Sequence, residues 1–263
     1  MRYFNLNMKT TIGFIGGGRI TRIFLKGFND AKVQFEKVVV FEPNAETGKT
    51  LQQQFPESVL AESLQSAAEQ SIVFLAVHPP VMMETLQNIK DSVDKKSVVI
   101  SLAPKITLEK MAAVLPVKNL VRMIPNATSY INEGYNPVAF HAEMDAEKQR
   151  KCLKLLKKLG KTFETEESKL EGYAINSAML PTYFWFQWKE LENIATETGL
   201  SPEEARKTVA STLRKAWKLY YKSGLTPEQV MDLIPVKPIG ENEPEIRNIL
   251  NSNLLGLYNK IKP

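Results

Sequence analysis

The segment Thr11-Ile-Gly-Phe-Ile-Gly-Gly-Gly-Arg-Ile-Thr21 constrains this chain more than any other. A short β-rich run enters three consecutive glycines, after which Ile20, Ile23, Phe24, Gly27 and Phe28 recur at helical spacing. Gly16 suits the tight turn from strand to helix, and Gly18 lets backbone amides approach a bound group. Thr21 occupies the third position, where glycine is usual. A helix N-terminus reached this way stabilises negative charge, such as that of a pyrophosphate. A second β-rich run ends at Glu42, where an acidic residue accepts hydrogen bonds from ribose hydroxyls. The pattern predicts a Rossmann-type dinucleotide-binding domain with Gly16, Gly17, Gly18, Arg19, Ile20 and Glu42 against the cofactor. The Glu42 carboxylate would repel a 2′-phosphate and favours NAD. Arg19 can neutralise a 2′-phosphate and favours NADP, so both cofactors stay open.

The rest of the first half repeats this grammar. Val38–Phe41, Ile72–Val77, Val98–Leu102 and Asn119–Met123 read as buried strands alternating with helical patterns, which predicts a largely parallel sheet. Asn136–His141 and Lys161–Glu164 flank a helix from about Asp145 to Leu159 and extend the sheet at its far side. After Glu164 the strand signal stops. Ser201-Pro-Glu-Glu204 and Thr226-Pro-Glu-Gln229 each follow a helix-ending glycine and place a hydroxyl N-cap, a proline and a capping-box side chain in order. The expected organisation is α/β: a Rossmann domain over residues 1–165, then an all-α dimerisation domain over residues 166–263. Within the second, the segment Tyr173–Thr198 is apolar on nearly all sides between Ala178 and Trp188, which predicts burial on several faces in a central or intersubunit position, and Pro181 should start or kink its helix.

Composition narrows the setting. No apolar run approaches the roughly 20 residues that span a bilayer, and the first eight residues read as a lead-in without a secretory signal. The 34 basic residues exceed the 29 acidic ones, but Lys151, Lys154, Lys157, Lys158 and Lys161 alternate with an apolar face, as on a solvated helix and not as in a nucleic-acid patch. The single cysteine, Cys152, shares a helix face with Leu155, Leu156 and Leu159, the pattern of a packed thiol. A cytoplasmic protein with no bound metal, no nucleic-acid partner and no membrane partner is expected.

Two further segments carry a resemblance. Ala76-Val-His-Pro-Pro80 and Arg122-Met-Ile-Pro-Asn-Ala-Thr-Ser-Tyr130 each follow a strand at the edge where open α/β sheets bind ligands. With the Gly-Phe-Ile-Gly-Gly-Gly start they resemble the pyrroline-5-carboxylate reductase family, whose members show G-F-I-G-x-G, A-V-K-P and R-x-M-P-N-T-P in this order. Gly199-Leu-Ser-Pro202 and Lys215-Ala-Trp-Lys218 continue the resemblance more loosely. It implies an NAD(P)-dependent reductase of C=N bonds in proline biosynthesis, a homodimer with interleaved C-terminal helices, and a pocket for a small metabolite beside the nicotinamide. It also implies that Ala76, Val77, His78, Pro79 and Asn126 lie against the cofactor, with Ala103 closing the groove beside Ser101. Asn126, Ser177 and Tyr183 are the implied catalytic candidates, as amide and hydroxyl donors near the reacting atoms. His78 stands where the family has lysine and His141 reads as structural.

The departures concern the substrate. The family's S-G-S-x-P-A-Y segment appears as Ser177-Ala-Met-Leu-Pro-Thr-Tyr183, with its glycine positions filled. Its S-P-G-G-T-T loop is replaced by Ile234-Pro-Val-Lys-Pro-Ile-Gly-Glu-Asn-Glu-Pro244, in which Glu241 and Glu243, with Glu245 next to it, would repel an anion and Lys237 offers a charge partner. An oxidoreductase acting on a C=N or C=O group is therefore expected, with an altered pocket. A non-catalytic dinucleotide sensor on the same fold is the alternative, and a β-hydroxyacid dehydrogenase using Lys169 and Asn176 ranks third because their spacing does not match.

Overall fold

Strand β1 (Thr11–Ile15) lies inside an eight-stranded sheet, hydrogen-bonded on one side to β2 (Lys37–Phe41) and on the other to β4 (Ile72–Leu75). These contacts come from a computed structural model that describes residues 10–263; residues 1–9, and with them the reading of the lead-in, lie outside the described residues. Between β1 and β2 runs helix α1 (Arg19–Asp30), and α2 (Ala45–Gln54) leads to β3 (Ser58–Leu60), a short strand with no apolar run to announce it. Helix α3 (Leu64–Ala68) precedes β4, and α4 (Pro79–Ile89) connects β4 to β5 (Val98–Ser101). Helix α5 (Leu108–Ala112) joins β5 to β6 (Leu120–Met123). The sheet ends with β7 (Gly134–Phe140), α6 (Ala146–Leu156) and β8 (Gly160–Glu164).

The strand order is β3-β2-β1-β4-β5-β6-β7-β8, parallel throughout except for the β6–β7 pair. The order reverses direction at β1 and β4, so the crevice for a ligand opens at their carboxyl ends. Side chains alternate between two apolar layers. Phe14, Phe24, Phe28 and Phe74 fill one, with Phe14 stacked on Phe74 at 4.7 Å, and Ile15, Val73, Leu75, Leu86 and Leu120 fill the other. Cys152 is packed with Leu155, Leu156 and Leu159 as expected, and burial pushes its thiol up to about 12.

Beyond β8 the chain is helical. Helix α7 (Leu170–Tyr173) runs into one π-helical turn, Ala174–Ala178, before the chain breaks at Pro181. Helices α8 (Thr182–Glu197), α9 (Pro202–Lys222), α10 (Pro227–Asp232) and α11 (Glu243–Ile261) follow. Pro181 caps α8, and both expected capping boxes are present at Ser201 and Thr226. The altered loop ends sooner than its proline content suggests, because Glu243 and Pro244 already form the first turn of α11.

Contacts divide the chain after Ala178, with Tyr258–Pro263 returning to the first unit, where Ile261 packs on the core. Residues 166–178 therefore stay with the sheet, because Leu170 and Ala174 are buried in its second apolar layer. The second unit runs from Met179 to Leu257. Within the single chain the apolar stretch of α8 is not covered. Among α8 to α11 only Ala205 is buried, and Phe184, Trp185, Phe186 and Trp188 are all exposed. Apolar periodicity on all sides marks a helix that needs covering; it does not say by which chain.

Candidate active site

The glycine turn is held from two directions. Gly16 adopts φ +105°, which L side chains resist, and its amide donates to the Phe41 carbonyl at 2.8 Å. Thr21 is fully buried, and its hydroxyl donates to the Gly16 carbonyl at 2.5 Å. The departure from a third glycine thus supplies a hydrogen bond to the turn. Gly18 is the N-cap of α1 in an extended conformation, and a Cβ built on it meets nothing within 4 Å.

Most helices of the first unit have their N-terminal amides capped, by Asn44 in α2, Ser63 in α3, Thr107 in α5 and Asp145 in α6. Helix α1 has no side-chain cap and no acidic residue in its first turn. The open space over Gly18 and these uncapped amides fit a pyrophosphate. Helix α4 also lacks a side-chain cap at His78, but Pro79 and Pro80 begin it and have no N–H to offer.

Glu42 closes the turn from the β2 side. Its Oε2 accepts the Gly17 amide at 2.7 Å and its Oε1 accepts the Asn44 amide at 3.0 Å. Arg19 is exposed and makes no ion pair among the described residues. It lines a groove of about 570 Å³ with Arg22, Ile23, Lys26, Phe55 and Tyr130. Ile20 packs against the first apolar layer. Ala76 and Val77 follow β4, with the Ala76 amide donating to the Ile15 carbonyl at 2.8 Å, so β1 and β4 stay joined at the crevice. Ala103 is buried just past β5, beside fully buried Ser101.

Asn126 and Ser177, 51 residues apart in sequence, meet directly. The Asn126 Nδ2 group donates to the Ser177 carbonyl at 3.1 Å and lies 3.2 Å from Ser177 Oγ. Its Oδ1 accepts from the Thr128 amide at 2.9 Å and hydroxyl at 2.7 Å. Ser177 Oγ in turn donates to the Tyr135 carbonyl at 3.1 Å. Asn126 is therefore a latch between the end of β6 and the π-helical turn, its polar capacity spent inside the protein. Tyr183 belongs to the second unit, where partial burial raises its phenol and keeps the proton on. His78 is exposed, and His141 Nδ1 accepts the Glu143 amide at 3.3 Å. Lys169 and Asn176 share a groove of about 370 Å³, but Lys169 is bound to Glu166 at 2.8 Å and Asn176 to the Gly172 carbonyl at 2.9 Å.

One cluster escaped sequence reasoning. Arg122, fully buried on β6, pairs with Glu171 of α7 and with Glu167 at 2.9 Å. Glu171 also accepts the Lys105 amide at 3.0 Å, and Glu167 the Leu108 amide at 2.7 Å. Lys105 sits at φ +78°, a conformation a non-glycine residue adopts only when held. The cluster ties the loop after β5 and the end of β6 to the helix that carries Ser177. The only sequence signal was a charged residue inside an otherwise apolar strand.

Comparison with known proteins agrees with this geometry. Residues 11–105 match the family model described as NADP oxidoreductase coenzyme F420-dependent. Pyrroline-5-carboxylate reductase of Corynebacterium melassecola is 27% identical over 256 residues, covering 95% of this chain and 93% of that protein. The enzyme of that name from Escherichia coli K12 is 26% identical, covering 86% of this chain and 85% of that protein. Among solved structures, pyrroline carboxylate reductase of Plasmodium falciparum with NADP bound superposes with a TM-score of 0.80 at 19% identity, over 97% of this chain and 98% of that one. No helix among the described residues is long and apolar enough to cross a membrane. From its glycine turn to its C-terminal helices, the chain is similar to pyrroline-5-carboxylate reductases.

Proposed function

We propose that this chain is an NAD(P)-dependent oxidoreductase that moves a hydride from the nicotinamide to a C=N or C=O carbon of a small metabolite. The observation that carries the reading is the open, uncapped N-terminus of α1 behind Gly16–Gly18, in a chain that resembles pyrroline-5-carboxylate reductases along most of its length. The cofactor supplies the hydride when bound. The chain holds the pyrophosphate on the amides of α1 and positions the ring between the ends of β1 and β4, with Ala76, Val77, His78, Pro79 and Ala103 along the groove. Asn126 and Ser177 fix the floor of that groove, and Tyr183, in the second unit, is the candidate proton donor that the family resemblance implies. Excluding water while the atoms are aligned is the rest of the task.

The same reading has the protein act in the cytoplasm as a homodimer through its C-terminal helices, the second copy covering the apolar faces of α8, α9 and α11. The single buried thiol suits a reducing compartment. One observation favours a non-catalytic sensor instead: the Asn126 amide has no free valence, and residues 234–239 form an exposed, irregular stretch without hydroxyl groups. Turnover separates the two. The purified protein with NADH or NADPH is offered pyrroline-5-carboxylate and a panel of cyclic imines and ketones. Oxidation of the cofactor supports the enzyme, and tight binding without oxidation of any member supports the sensor.

A further inference from the structure

Glu42 stands one residue past the end of β2, half-exposed, with each carboxylate oxygen fixed by a backbone amide. Those bonds aim the group at the crevice and leave each oxygen a second lone pair, enough to accept from a ribose hydroxyl. The charges nearest along the chain are negative. Glu42 is followed by Glu46 in the first turn of α2, and the first cation after it is Lys49, in the second turn of that helix. Pro43 has no N–H, the Asn44 amide is used by Glu42, and the Asn44 side chain is used by the Thr47 amide at 2.9 Å. Arg19 lines the groove along α1 with Arg22, Lys26 and Tyr130, a groove that does not include Glu42.

We infer that Glu42 makes this chain selective for NADH, whose adenine ribose has a free 2′-hydroxyl, against NADPH, whose 2′-position carries a phosphate. The inference rests on the proposed oxidoreductase reading and goes beyond it, since the matching family model is described for NADP and one solved neighbour holds NADP. The hydroxyl gains a charge-assisted hydrogen bond to the fixed carboxylate, whereas the phosphate meets the like charge of Glu42, with Glu46 in the turn that follows.

The test is a fluorescence titration of the full chain with NADH and NADPH separately, for the native protein and for Glu42→Gln. The native protein should bind NADH about ten-fold or more tighter, as a like charge at close range near a protein surface predicts. Glu42→Gln keeps an oxygen for the Gly17 amide but removes the charge, so the preference should contract at least about three-fold through gained NADPH affinity. Pro43→Arg, at an exposed position, carries the test if the glutamine variant does not fold, and should raise NADPH affinity. Equal or tighter native binding of NADPH overturns the inference, as does a ratio unmoved by Glu42→Gln. Binding of neither cofactor overturns the oxidoreductase reading itself, and this inference with it.

Discussion

The hydroxyl of Thr21 donates to the carbonyl of Gly16 at 2.5 Å, joining the first turn of α1 to the glycine turn that precedes it. Thr21 is fully buried and the bond is partly shielded, so water is a poor substitute for the hydroxyl. Thr21→Val keeps the shape and removes the donor. It should cost about 1–3 kcal/mol of stability, the penalty for an unpaired buried carbonyl, and weaken cofactor binding as the turn loosens. Thr21→Ser should restore both. Denaturant unfolding and a cofactor titration on the two variants check this.

Removing the charge of Arg122 should be among the most damaging single changes in the first unit. Its guanidinium is buried between Glu167 and Glu171, so Arg122→Met strands the buried Glu171 carboxylate away from water. A loss of about 3–5 kcal/mol is expected, read as a lower urea midpoint with an unchanged slope. A midpoint close to native would show that the pair contributes little.

Cys152 should be chemically silent while the protein is folded. With its thiol pushed up to about 12, roughly one molecule in ten thousand carries the thiolate at pH 8. A thiol reagent at that pH should modify the native protein only at the rate of unfolding and should react fully in denaturant. Fast modification of the folded chain would contradict the packing described.

Phe186, 68% exposed on α8, should lie inside a homodimer interface. Phe186→Asp places a charge there and should shift the species seen by light scattering from twice 29.7 kDa towards 29.7 kDa. Native protein that runs as a monomer would remove the dimer from the account.

What the sequence made legible was mostly local. The strand, glycines and helix of residues 11–30, the capping boxes at Ser201 and Thr226, and the packed face around Cys152 each depend on residues within a few positions of one another. What stayed hidden depends on distance along the chain. Asn126 reads as a turn residue or a ligand group until Ser177 is brought beside it, and Arg122 reads as a motif letter until Glu171, 49 residues on, is seen to neutralise it. Strand β3 was missed because three residues at a sheet edge carry too little pattern to register. Whether Phe184, Trp185 and Phe186 are covered within the chain or by a second copy was not legible for a different reason. Hydrophobicity demands burial but cannot name the surface that provides it.

The central claim is that the amides of α1 behind Gly18 hold a dinucleotide. Gly18 has φ −71° and open space where a side chain would go, so Gly18→Leu fits the fold while filling the place of the pyrophosphate. The decisive measurement is calorimetric titration of the native protein and Gly18→Leu with NADH and NADPH, alongside their thermal midpoints. Binding of at least one cofactor by the native protein, lost in Gly18→Leu with the midpoint retained, is the predicted result. Undiminished binding by the leucine variant, or none by the native protein, would contradict it.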